Sequence, residues 1–224
     1  MKTLGDDTNA YYRFHARIYD LTRWTFLFGR RALVAHIAKR RPRRVLEIGC
    51  GTGKNLIELK KRIPDAQCVG VDASADMLRI ARGKAVALNI RWIEGMYPSP
   101  EVDAALESMG KPDVILFSYA LSMFNPGYDT CLETAHRAIA PDGVVCVVDF
   151  HNSSFAWFRR WMAMNHVRME SQLLEAMLQL GELSHYREKR GLLGIWRYNM
   201  MMGAPRGAVS RRAIEKLASG TLRS

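Results

Sequence analysis

The sequence predicts an α/β fold, a mostly parallel sheet with helices on both faces, and three observations carry that prediction. From residue 44 onward, short apolar runs alternate with longer amphipathic ones, as a sheet covered by helices requires. The runs are separated by Pro64-Asp65, Pro98-Ser99-Pro100, Asn125-Pro126-Gly127 and Pro141-Asp142-Gly143, where fixed φ angles and missing amide donors stop regular structure. The first apolar run leads directly into Glu47-Ile48-Gly49-Cys50-Gly51-Thr52-Gly53, a glycine-rich turn that opens a helical stretch.

Taken in order, the spacing predicts strands over Arg44–Ile48, Gln67–Val71, Ile90–Glu94, Asp113–Phe117 and Gly143–Val148. Helices are predicted over Lys54–Arg62, Ser74–Leu88, Glu101–Met109 and Tyr128–Ile139. A helical region follows over about residues 155–180, then two strands near Leu183–Glu188 and Ile195–Met202. The expected organisation is a basic, aromatic N-terminal helical segment at 1–43, one folded domain at 44–205 and a basic tail at 206–224.

Composition narrows the function classes. The 224 residues, 48% of them hydrophobic, suffice for one substantial core. The four cysteines, Cys50, Cys68, Cys131 and Cys146, lie far apart without CxxC or Cys/His clustering, so no zinc site or disulfide framework is expected and a reducing cytoplasm fits. The apolar runs are of strand length, too short to span a bilayer. The net charge of +11 is concentrated at the start, where residues 1–44 hold eleven Lys/Arg against three acids. A cationic surface there attracts polyanions such as anionic lipid headgroups or nucleic acid, or serves solubility alone.

The glycine-rich turn fails two common tests. A dinucleotide fingerprint needs glycine three residues after Gly51, where Lys54 stands; a phosphate loop needs glycine where Ile48 stands. What remains is E-x-G-x-G-x-G. A carboxylate at Glu47 repels pyrophosphate but suits an ammonium group. Nineteen residues after Gly53 the second strand ends at Asp72, where an acid accepts hydrogen bonds from both hydroxyls of a ribose. Two acids therefore bracket a ligand that is cationic at one end and a nucleoside at the other.

With those residues in place, the chain resembles class I S-adenosylmethionine-dependent methyltransferases. Val45–Gly53 is similar to their first motif, and Gly70-Val71-Asp72-Ala73-Ser74-Ala75-Asp76-Met77-Leu78 to their second. Arg137–Gly143 resembles the turn before their fifth strand. The resemblance implies a Rossmann-like seven-stranded sheet of order 3-2-1-4-5-7-6 and a donor, S-adenosyl-L-methionine, lying over the strand ends without metal. The implied donor residues are Glu47, Gly49, Cys50, Gly51, Gly53, Asp72, Ala73, Met77, Gly95, Met96, Ser118 and Tyr119. One departure stands out: Gly95-Met96 replaces the family's usual Gly-Asp, so the carboxylate to the adenine amino group is missing.

The acceptor is read from two further segments. Ser118-Tyr119-Ala120-Leu121-Ser122 lacks the proline pair of base and glutamine methyltransferases, which disfavours nucleobase methylation and a nucleic-acid partner. Residues Tyr11–Arg31 interleave aromatics with cations, the composition of an interfacial helix or of a lid packed on the sheet. These segments and the strand near Ile195–Met202 resemble bacterial betaine-lipid (diacylglyceryl-homoserine) N-methyltransferases and related phosphatidylethanolamine N-methyltransferases. That resemblance implies a lipid-amine acceptor, successive methylations and a cytoplasmic protein peripherally bound to an anionic membrane surface, at its inner face.

Candidate catalytic groups are Tyr12, Tyr19, His15 and His151, as bases, with Tyr12, Tyr19 and Tyr119 as rings for the methylated cation. His15, Arg17, Trp24 and Arg197 are candidates for headgroup or membrane contact. Two alternatives stay open: a small-molecule or quinone methyltransferase of the same fold, and a basic RNA-binding module without catalysis.

Overall fold

The computed structural model describes residues 27–124, 126–169 and 171–205. Helix α1 (Arg30–Lys39) precedes an alternation of β1 (Arg44–Ile48), α2 (Lys54–Arg62), β2 (Gln67–Asp72), α3 (Ala75–Lys84), β3 (Ile90–Glu94), α4 (Pro100–Met109), β4 (Val114–Ser118), α5 (Tyr128–Ala138) and β5 (Val144–Asn152). Helices α6 (Ala156–Met164) and α7 (Gln172–Leu180) then lead to β6 (Gly181–Arg190) and β7 (Arg197–Pro205). The strands form one sheet in the order β3-β2-β1-β4-β5-β7-β6. Strands β3 to β5 pair in parallel; β7 runs antiparallel between β5 and β6. The sheet order expected from the resemblance is therefore the observed one.

Period-two alternation decides which face each residue serves. In β1, Leu46 and Ile48 join the core beneath α4, α5 and α7, while Val45 faces the core beneath α1, α2 and α6. Glu47 shares Val45's face and so meets α2, not open solvent. Both faces of β4 are buried along its whole length, as expected of a central parallel strand. At the other end of the sheet, Asp113 fixes the entry into β1 by accepting the Arg43 and Arg44 amides at 2.7 and 2.9 Å.

Several boundaries differ from expectation. Strand β5 continues four residues beyond Val148, because β7 supplies antiparallel partners as far as Asn152↔Arg197. His151, expected in a loop, therefore lies in the sheet. The helical region of residues 155–180 is two helices, with His166 and Ser171 at positive φ in the break between them. Helix α3 stops at Lys84 rather than Leu88. Helix α1, grouped with the basic N-terminal segment by its charge, buries Leu33, Val34 and Ile37 in the core and belongs to the domain. The first part of the aromatic segment, residues 1–26 with Tyr12, His15, Arg17, Tyr19 and Trp24, lies outside the described residues, as does the tail at 206–224.

Candidate active site

The carboxyl ends of β1, β2 and β4 open onto a cleft of about 780 Å³. Its floor is the turn between β1 and α2, where Gly49, Gly51 and Gly53 all have positive φ. At two of these the requirement is physical. A Cβ on Gly53 would stand 2.4 Å from the Trp92 ring, so only glycine lets β3 pack there. At Gly51 a Cβ would meet nothing within 4 Å; its φ of 53° turns the backbone toward the open cleft.

Asp72 links the turn to the second strand. One carboxylate oxygen accepts the Gly51 amide at 2.7 Å and the other the Ser74 amide at 2.9 Å. The same side chain lines the cleft, beside Ala73, Ser74 and Met77. A carboxylate held by two amides is fixed in place, and its remaining lone pairs suit vicinal hydroxyls.

Glu47 sits under the same turn, only 1% exposed. It accepts one hydrogen bond, from the Asn55 amide at 2.7 Å, and its other oxygen, Oε2, is buried with no partner. Burial pushes its carboxyl up to about 8, a shift that Asn55 and Arg30 only partly oppose. A small pocket of about 50 Å³ joins Glu47, Asn55, Arg30 and Ser118 to Gly49 and Gly51. The unmet oxygen fits a cationic ligand group, and the glycine floor and Asp72 fit a nucleoside, so the residues present fit S-adenosyl-L-methionine. The buried Cys50 thiol also borders this pocket, with its pKa raised by burial, which makes it packing rather than a nucleophile.

Opposite, Gly95, Met96, Tyr97 and Pro98 form the wall where the family's acid is missing. The Gly95 amide is bonded to the Asp72 carbonyl at 3.0 Å, so that amide is not the replacement. The remaining wall comes from Tyr119, Ala120, Met123, Phe124 and Thr130. Tyr119 has φ 56°, donates its hydroxyl to the Phe28 carbonyl at 2.8 Å and meets Phe150 edge-on. The residue lines the cleft, while its buried ring packs into the core and its phenol ties the chain before α1 to the end of β4.

Two expected residues stand elsewhere. His151 Nδ1 lies 3.0 Å from the Asn199 amide nitrogen, which donates to it; Nε2 lies 3.5 Å from Glu188 and 3.4 Å from the Ser171 hydroxyl. It does not line the cleft, and burial lowers its pKa. Arg197 pairs with Glu188 at 3.1 Å on the sheet's outer strands. Asn55 and Phe124 went unpredicted. Asn55 had a signal, being a polar residue at the second position of a helix whose preceding strand carries a buried acid.

The chain matches the family described as "Methyltransferase domain" over residues 19–195. It belongs to that family. The methyltransferase is 32% identical over 142 residues to the demethylmenaquinone methyltransferase of Thermus thermophilus, covering 59% of this chain and 60% of that protein. It is 35% identical over 117 residues to the trans-aconitate 2-methyltransferase of Rhodopseudomonas palustris, covering 52% and 42%. The matched stretch thus spans less than two thirds of these relatives. Among solved structures, the 1,6-didemethyltoxoflavin-N1-methyltransferase of Burkholderia thailandensis, holding S-adenosylhomocysteine, aligns with a TM-score of 0.62, 16% identity and 92% coverage of both chains. NodS, an N-methyltransferase of Bradyrhizobium japonicum, also with S-adenosylhomocysteine, aligns at TM-score 0.58 and 15% identity over 73% of this chain and 78% of NodS. These likenesses agree with the sheet order and with S-adenosylmethionine dependence. Among the described residues no cluster of His, Cys, Asp or Glu forms a metal site, and no helix is long and apolar enough to cross a membrane.

Proposed function

We propose that this methyltransferase acts on the amine of a membrane-lipid headgroup, methylating diacylglyceryl-homoserine stepwise to a betaine lipid. One observation carries the reading: among the described residues lining the cleft, Asp72 is the only formally charged side chain, and Tyr119, Met123 and Phe124 make the other wall largely apolar and aromatic. An amine enters neutral, and each product bears a more persistent positive charge that aromatic faces stabilise. Transfer forms a nitrogen–carbon bond as the sulfur–carbon bond breaks, the bonding pair staying on sulfur; in the first two transfers a proton leaves the nitrogen to solvent or a base, and in the third the quaternary nitrogen keeps the positive charge. Positioning the lone pair in line supplies most of the rate.

The interleaved aromatics and cations of Tyr11–Arg31 support a lipid acceptor and peripheral binding at the inner face of the membrane. Phosphatidylethanolamine is the nearest alternative headgroup. A second reading, a quinone acceptor, draws on the identity with the demethylmenaquinone enzyme and suits the same apolar cleft. Labelled methyl donor, incubated with the protein and fractionated lipid extracts, separates them by product mass. Label in a lipid amine with up to three added methyls supports the proposal; label confined to the quinone fraction overturns it.

A further inference from the structure

We infer that helix α6 and the Leu192–Gly194 turn form a surface that inserts into the headgroup region of an anionic bilayer. The inference rests on the lipid-acceptor reading but concerns residues that do not line the cleft.

Helix α6 is apolar on two neighbouring sides. Phe158 and Met162 face the core, while Trp157, Trp161 and Met164, at i, i+4 and i+7, face outward, Trp157 being 62% exposed. Burying one apolar side satisfies a soluble helix; the outward row leaves a second stripe in water, which marks an interaction surface. Beside it, Leu193 is 97% exposed at the tip of a turn, at φ 48°, an uncommon conformation for leucine.

The two protrusions are one unit. The Ser153 hydroxyl, just before α6, donates to the Ile195 carbonyl at 2.5 Å. Phe158 stacks on the buried Trp196, with ring centroids 5.5 Å apart, and Trp196 accepts the Gly191 amide at 2.8 Å, closing the turn. Leu193 is thus held out by backbone bonds and by packing against α6.

Charge selects the occupant. From His151 to Met169 the chain carries Arg159, Arg160 and Arg168 and no acid. Around the turn stand Arg187, Lys189, Arg190 and Arg197 against Glu188, which is paired with Arg197. Tryptophans and leucines on segments that carry these arginines suit an anionic headgroup layer, where rings sit at the interface and each cation adds attraction. A second copy would instead bring like charges together.

Position agrees. The pairing of Ser118 with Val148 marks where β4 ends, and β5 runs on through Asp149–Asn152, about 13 Å further in the same direction. The patch therefore lies on the edge of the sheet that also carries the glycine turn and Asp72, so an acceptor with its tails in the bilayer is presented from the cleft's side.

The test is co-sedimentation of the full chain with vesicles of phosphatidylcholine plus phosphatidylglycerol, against phosphatidylcholine alone. Trp157→Ser with Trp161→Ser, and separately Leu193→Asp, are expected to weaken binding to the anionic vesicles about tenfold. Donor affinity, measured by calorimetry, serves as the folding control and stays unchanged. Leu193, almost wholly exposed, keeps the test sound should the tryptophan variant fold poorly. Unchanged sedimentation of Leu193→Asp overturns the inference. So does light scattering in which this substitution dissociates a dimer without altering vesicle binding. If the wild type binds through these residues yet methylates no lipid amine, the surface stands and the substrate reading falls.

Discussion

Glu47 accepts the Asn55 side-chain amide at 2.7 Å while its second carboxylate oxygen is buried without a partner. A fully buried acid with half its hydrogen-bonding capacity unmet is stabilised by a proton in the absence of ligand and by an ammonium in its presence.

That arrangement predicts a pH dependence. Burial raises the folded carboxyl from 4.5 to about 8, so between those values the folded protein holds a proton that the unfolded chain releases. This contribution to stability is present at low pH and is lost as pH rises through about 8. A bound ammonium prefers the ionised form, so donor affinity rises over the same window. Glu47→Gln is expected to flatten both trends and to weaken donor binding at about pH 8. Denaturant midpoints and calorimetry at about pH 6 and about pH 8 check this.

Asp72 holds the Gly51 and Ser74 amides, so its substitution has two effects. Asp72→Ala is expected to weaken binding of donor and of its demethylated product by at least about tenfold, the worth of hydrogen bonds to a charged acceptor. Asp72→Asn keeps one acceptor oxygen and should fall between. Titration calorimetry reads both.

The glycines of the turn separate stability from binding. Gly53→Ala drives a Cβ toward the Trp92 ring in a left-handed conformation and should cost about 3 kcal/mol of stability. Gly51→Ala has open space around its Cβ and should cost only about 1 kcal/mol while reducing donor affinity. Unfolding curves combined with affinity measurements distinguish the two.

Removing the Tyr119 hydroxyl breaks its bond to the Phe28 carbonyl without emptying the cleft wall. Tyr119→Phe is expected to lose about 1 kcal/mol of stability while its ring keeps its packing against Phe150. Turnover retained within about threefold would assign the hydroxyl a tethering role; a larger loss of kcat would make it catalytic.

His151→Ala provides the contrasting case. Its Nδ1 accepts the Asn199 amide and its Nε2 faces Glu188, away from the cleft lining. Turnover should stay within about twofold of the wild type, and stability should drop about 1–2 kcal/mol because the buried Asn199 loses its acceptor. A steep loss of turnover without loss of stability would return His151 to the reaction.

The alternation of strands and helices, the glycine turn and the paired acids at Glu47 and Asp72 are legible in the order of residues. These follow from period-two burial, φ preferences and the spacing of a strand and a turn, all local properties. Tertiary structure alone decided the rest. Strand β5 extends to Asn152 only because β7, some fifty residues later, pairs with it, and that pairing takes His151 into the sheet. Glu47 becomes a raised, half-satisfied acid only once α2 closes over it with Asn55. The outward row on α6 reads from the sequence as ordinary core, since periodicity reveals that a helix is apolar but not which of its sides the fold has already covered.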